Sequence, residues 1–275
     1  MSRDVPTVKE PQDAAAWFAA FDQLVHILRT DCPWDRKQTH DSISHMLIEE
    51  CYETLEAISD KNDKDFPREL GDLLLHIVMH AVMAEERGAF DVRDVIKAEF
   101  DKLVQRHPHV FGDVDVADAD AVKQNWEQLK MREGRRSALE GVPRHMPAVL
   151  RAQRIQEKAA NVGFDWSDKQ DVWRKVHEEI DELQRAAAAG NATEVEEEFG
   201  DVLFSLINAA RHENIVGEEA LQATNNKFIR RFQFIEDKAA ERGVRLKDMT
   251  LAEMDALWDQ AKHEERHSST PDSTH

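Results

Sequence analysis

The chain has 275 residues, 33% of them charged, and a formal net charge of −19, which excludes a broadly basic surface of the kind that grips a nucleic-acid backbone. Two cysteines, Cys32 and Cys51, are too few for a disulfide framework, so a reducing cytoplasm is the expected compartment. The polar stretch from Met1 to Asp13 has no signal-like apolar region, and the most apolar run, 73–84, is short and interrupted by His76 and His80, so no membrane is expected.

Scarce Gly and Pro predict helices throughout. The first, over 13–29, stops before Pro33. The second, over 41–59, carries Leu47, Ile48, Cys51, Leu55 and Ile58 as its apolar side. Pro67 opens a third, which runs to about Arg87 with Gly88 as its stop. A fourth, 91–107, closes at Pro108. The acidic segment from Gly112 to Asp120 reads as a linker, followed by a helix around Trp126. Helices are then expected at 147–161, 169–189, 193–213, 217–242 and 250–263. The expected organisation is all-α: a first helical domain over 13–111, a linker with one helix over 112–146, a second domain over 147–264, and a disordered tail over 265–275.

Glu49, Glu50 and Glu53, followed by Glu69 and Asp72, return 129 residues later as Glu178, Glu179, Glu182, Glu198 and Asp201, and Gly71 returns as Gly200. The two domains are therefore tandem repeats. Residues three or four apart share a helix face, so two packed helices would gather four carboxylates in a small volume. Two like charges about 4 Å apart repel by roughly 4 kcal/mol at an effective dielectric near 20. A hard dication relieves that repulsion, and an all-oxygen set suits Mg²⁺ or Mn²⁺. The plainer alternative is a solvated acidic face. Against it, 73–82 and 202–210 are apolar around most of the helix, which predicts burial and places the acids in a cleft.

Lys227 and Arg231 are four apart, as are Lys102 and Arg106, and each pair reads either as surface charge or as a phosphate clamp. Trp258 reads either as core or as a platform for a base. His76 and His80, replaced by Ser205 and Ala209 in the second repeat, read as satisfied core or cleft histidines.

Several motifs then bear a family resemblance: Cys32-Pro-Trp-Asp35 with Gln38, Thr39 and His40; both acid sets; Arg106-His-Pro-His-Val-Phe111; Gly163-Phe-Asp-Trp166; and Asn226-Lys-Phe-Ile-Arg-Arg-Phe232. From about Phe21 to Lys262 the chain resembles the MazG nucleoside triphosphate pyrophosphohydrolases in their two-domain form. The resemblance implies Mg²⁺-dependent hydrolysis of nucleoside triphosphates to monophosphate and pyrophosphate by a helical bundle that works as a homodimer. It implies Glu179, Glu182, Glu198 and Asp201 as metal ligands in the second repeat, with Glu50, Glu53, Glu69 and Asp72 as their counterparts in the first. It further implies that Lys175, Lys227 and Arg231 hold the triphosphate and that Trp258 lies near the base. Glu194 stands where some relatives carry a lysine. Glu178, beside the ligand set, is the candidate acceptor of the attacking water's proton, and the second repeat is the favoured catalytic one. Two alternatives remain: a nucleotide- or metal-binding regulatory or interaction module without turnover, and a di-iron bundle, which usually needs Glu-x-x-His ligands, whereas neither repeat has a His three after the relevant Glu.

Overall fold

The computed structural model describes residues 3–112 and 137–268. These residues form helices and short 3-10 turns, with no strand among them. The helix expected around Trp126 and the acidic segment from Asp113 onward lie outside the described residues. The chain divides into two compact units, Met1–Ala117 and Asp118–His275.

In the first unit, α1 (Ala14–Asp31) starts where the Asp13 carboxylate accepts from Ala15 N–H, satisfying one of the free amides of the first turn. A 3-10 turn over Asp35–Lys37 leads to α2 (Ser44–Ser59), and α3 (Phe66–Glu85) follows with proline in its first turn. α4 (Val92–Arg106) opens on a reciprocal capping box between Asp91 and Asp94, and a single turn, α5 (Pro108–Phe111), closes the unit. The core joins Val25 of α1 to Val78, Met79, Val82 and Met83 of α3, with Ile43 and Met46 leading in from α2. The Arg29 side chain ties down the Cys-Pro-Trp-Asp segment, donating to the Asp35 and Gln38 carbonyls while its other nitrogens meet Glu86.

In the second unit, α6 (Ala148–Ala160), α7 (Lys169–Ala189), α8 (Ala192–His212), α9 (Gly217–Glu241) and α10 (Leu251–Ser268) follow in order. Asp168 and Asn191 cap α7 and α8. Gly190, at φ 74°, makes the left-handed turn between them. Val172, Val176 and Ala209 form the α7–α8 seam, and two buried glutamines lock α6 on either side of it. Gln156 donates to the Phe204 carbonyl, and Gln153 accepts from Gly217 N–H at the start of α9.

Three expectations are corrected. The expected apolar side of α2 faces outward: Ile48, Leu55 and Ile58 are exposed, and the buried positions are Thr54 and Ala57. The strongly apolar helices are buried on one side only, leaving Leu70, Leu74 and Ile77 of α3 and Phe199, Leu203 and Leu206 of α8 exposed. One chain supplies too few neighbours to cover a helix that is apolar on several sides. Finally, α10 runs to Ser268, past 264, because Glu265 is anchored by Arg230 and Arg231 of α9.

Candidate functional site

Each unit pairs two antiparallel helices with a short connection, α2–α3 in the first and α7–α8 in the second. The repeated acids lie along that seam. In the first unit one carboxylate oxygen from each of Glu50, Glu69 and Asp72 falls within 4.8 Å of the others; in the second the same holds for Glu179, Glu198 and Asp201. The two trios occupy equivalent positions in the duplication.

The other acids of the pattern do not join the trios. Glu53 is exposed, one turn beyond Glu50. Glu182 is half-buried and accepts from Arg185 at 3.3 Å. Both still act electrostatically. Burial, then Asp72, Glu53, Glu69 and Glu49, push Glu50 above the usual carboxylate range. Burial, then Glu182, Asp201, Glu179 and Glu194, do the same to Glu198. Raised carboxylate pKa values mark negative charge that lacks enough positive charge nearby.

The trios are partly compensated by one cation each. Arg68 reaches back to Glu69 at 2.7 Å. The other oxygen of that carboxylate, Oε2, is buried and has no hydrogen-bond partner, although Glu69 as a whole is only 4% exposed. Lys175 sits 2.7 Å from both Glu178 and Glu179, of which Glu179 is 7% exposed and Glu178 is out in solvent. Those two carboxylates hold the lysine well above its ordinary pKa. An oxygen-only trio with unsatisfied negative charge, including an orphaned buried oxygen, fits a hard dication in donor type and charge.

Beside the second trio lies a cavity of about 400 Å³, lined by Ile155, Phe164, Trp166, Val172, Phe204 and Leu139, with Lys175, Glu179 and Asp201 at its polar end. Its volume and mixed lining suit a small planar ligand with an anionic tail. A second polar group stiffens its wall. Arg211 donates to both Asp165 oxygens and to Asn208, while His212 meets the same Asp165 at 3.0 Å. Burial would raise Asp165, but the hydrogen bonds and charge of Arg211 and His212 outweigh it and hold its carboxyl below the ordinary value. The first trio adjoins a smaller cavity, about 160 Å³, lined by Trp34, Asp35, Gln38 and Met46 with Glu50, Asp72 and His76.

The remaining predicted residues lie elsewhere. Arg231 is paired with Glu265 at 2.7 Å and lies 5.5 Å over the Trp258 ring, which packs on Phe228. Lys227 is half-buried on α9, and none of Lys227, Arg231 and Trp258 lines the 400 Å³ cavity. In the first unit Lys102 pairs with Glu99, and Arg106 is half-buried at the end of α4. Neither lines the 160 Å³ cavity.

The MazG nucleotide pyrophosphohydrolase domain matches residues 38–111 and again 168–234, the two stretches that carry the trios. The chain belongs to the MazG family. It is 44% identical over 250 residues to the nucleoside triphosphate pyrophosphohydrolase/pyrophosphatase MazG of Thermotoga maritima, covering 88% of this chain and 95% of that one. It is 45% identical over 240 residues to a nucleoside triphosphate pyrophosphohydrolase of Escherichia coli K12, covering 85% and 91%. A Bacillus subtilis protein, the uncharacterized YabN, is 46% identical over 270 residues but is longer, with 55% of its length matched. The MazG matches thus begin at Gln38 and Asp168, so the Gly163–Trp166 segment that walls the cavity precedes the second of them.

Proposed function

We propose that the chain, as a nucleoside triphosphate pyrophosphohydrolase, cleaves its substrate to monophosphate and pyrophosphate at the second trio, with Mg²⁺ or Mn²⁺ as cofactor and a broad range of bases accepted. The observation that carries this reading is the convergence of Glu179, Glu198 and Asp201 beside Lys175 at the mouth of a cavity able to take a nucleoside. Glu179, Glu198 and Asp201 would hold the divalent ion, which would supply positive charge against that of the phosphates and the leaving pyrophosphate. The residues of the chain do the rest. Phe164, Trp166 and Phe204 present apolar, aromatic walls that read no particular base edge, which suits broad specificity. Lys175 already stands at the boundary between cavity and carboxylates, where it can transfer one of its hydrogen bonds to a phosphate oxygen. Glu178, exposed and outside the trio, is free of the ligand role and can take a proton from water once Lys175 has turned to the substrate.

We further propose a homodimer. The uncovered faces of α2, α3 and α8 are what a second copy would bury, and neither Gly71 nor Gly200 has any atom of its own chain near the space a Cβ would fill, leaving room for close approach from outside. In such a dimer Lys227, Arg231 and Trp258 would serve the cavity of the opposite copy. The test is turnover of mixed nucleoside triphosphates with and without Mg²⁺, resolving products by ion-exchange chromatography, for the intact chain and for Glu179→Gln and Glu50→Gln. Monophosphate plus pyrophosphate, lost in Glu179→Gln and kept in Glu50→Gln, is the expected result. No turnover in the intact chain would leave a binding module instead, and turnover that needs no divalent ion would overturn the cofactor assignment.

A further inference from the structure

On the helices that carry the acids each position in the second unit lies 129 after its counterpart in the first, so the two cavities can be compared there residue by residue. The acids are preserved and the surroundings are not. Lys175 corresponds to Met46, Asn208 to Met79 and Arg211 to Val82, so the cations and amide of the second cavity become apolar in the first. On these helices one change runs the other way: Ser205, which lines the second cavity, corresponds to His76, which lines the first; off them, Asp35 of the first cavity stands where Phe164 lines the second.

His76 is 7% exposed, and its Nδ1 is buried without a hydrogen-bond partner. This overturns the expectation of a satisfied histidine for His76, whereas His80, with its Nδ1 2.8 Å from that of His40, meets it. A buried polar atom left unpaired costs about 1–3 kcal/mol, so it is retained where something else satisfies it. Four residues before it on the same face of α3 is Asp72, a member of the trio. The trio contributes a second orphan, Glu69 Oε2. The orphan-bearing His76 thus lines the small cavity together with Glu50 and Asp72, standing outside the 4.8 Å grouping of the acids, while the orphan oxygen of Glu69 belongs to the trio that those two acids complete.

We propose that the first unit holds a first-row transition dication through Glu50, Glu69, Asp72 and His76, and that it takes the ion without a triphosphate. Adding an imidazole to carboxylates moves preference away from Mg²⁺ toward ions such as Mn²⁺, Co²⁺ or Zn²⁺. The smaller cavity, with Met46 and Met79 in its wall, has space for an ion and its water but offers an anionic tail no lysine or arginine from its lining. The site would then brace the α2–α3 seam, independently of whether the second unit turns over nucleotide.

Metal-stripped full-length protein loaded with Mn²⁺ and examined by pulsed electron paramagnetic resonance tests this without any activity readout. Nitrogen-14 modulation of the Mn²⁺ signal is expected in the unaltered chain and in Glu179→Gln, which disables only the oxygen-only second site. It should vanish in His76→Ser, the residue the second repeat uses, and Mn²⁺ affinity at one of two sites should fall at least about tenfold by equilibrium dialysis. Glu69→Gln, which keeps the histidine, should also remove that binding class, and covers the case in which His76→Ser fails to fold. No nitrogen modulation in the unaltered chain, modulation that survives His76→Ser in folded protein, or both Mn²⁺ sites intact in Glu69→Gln would overturn the assignment.

Discussion

Replacing Lys175 by methionine, the residue at the equivalent position 46, should uncover how the second trio balances its charge. Lys175 makes two contacts of 2.7 Å, to Glu178 and to Glu179. The Glu178 carboxylate is 56% exposed, so that pair contributes close to nothing. Glu179 is buried, and a hydrogen bond to a buried charge contributes about 1.5–3 kcal/mol; the lysine is itself partly solvated, which reduces the net loss to about 1–2 kcal/mol. For a unit of this size that is a fall in Tm of about 2–8 °C in metal-free protein. A dication at the trio would neutralise the same carboxylate, so the two effects cannot add. Lys175→Met should therefore bind Mg²⁺ more tightly than the unaltered chain, and the Tm deficit should shrink at saturating Mg²⁺. Turnover should nevertheless fall, through a raised KM for the triphosphate, because the phosphate contact is gone. Differential scanning fluorimetry across a Mg²⁺ titration, paired with steady-state kinetics, reads all three quantities. An equal Tm deficit with and without Mg²⁺ would refute the reasoning, since it would mean that lysine and ion act at separate places.

Asp165→Asn should destabilise the second unit by about 1–3 kcal/mol at neutral pH, by removing an ion pair of limited solvent exposure. Because the folded carboxyl is held below its ordinary value of 3.8, its contribution is present above that pH and is lost as pH falls through the depressed value, so denaturation curves of variant and parent should converge in acid. Leu203→Asp, on the uncovered face of α8, should shift sedimentation toward monomer and reduce turnover, whereas a protein already monomeric at micromolar concentration would remove the dimer proposal. Mixing Glu179→Gln with Arg231→Met chains should restore partial activity if Arg231 serves the opposite cavity; no recovery on mixing, with dimers present, would place Arg231 in its own chain's site. Glu265→Gln, which releases Arg231 from its carboxylate partner, should lower KM for triphosphate modestly, and an unchanged KM would show that the arginine does not reach substrate.

The helices were legible because their punctuation is local. Asp13, Asp91, Asp168 and Asn191 cap helices, and Gly88 and Gly190 end up with positive φ at or just beyond helix ends. The acids were legible through their common offset, but which three of each five converge was not. Glu50 turns inward because Ile43, Met46, Thr54 and Ala57 share its face of α2, while Ile48, Leu55 and Ile58 point away. Sequence periodicity reports that a helix has an apolar stripe, not which neighbour covers it. The cavity was invisible for a different reason: Leu139, Ile155, Phe164 and Phe204 come from four separate segments. Asp165 and Arg211 are likewise 46 positions apart, and no spacing rule joins them.

What separates the two trios chemically is therefore not the acids but what surrounds them. Three carboxylates at close range can attract a dication in either unit, because oxygen donors and uncompensated charge are sufficient for that. Proposed turnover asks for more: a nearby cation that can leave its carboxylates for a phosphate, a wall held rigid around the nucleoside, and space for it. Lys175, the Asp165–Arg211–His212 group and the larger cavity provide these in the second unit. In the first, the equivalents of Lys175, Arg211 and His212 are Met46, Val82 and Met83, two of them packed in the hydrophobic core. Positions that carry polar groups in the second unit are apolar packing in the first, which stabilises that unit and leaves no cation at those positions for a triphosphate. Restoring one of them, as in Met46→Lys, should not be enough to create turnover there, since the core-facing positions 82 and 83 would still lack the polar group that stiffens the cavity wall.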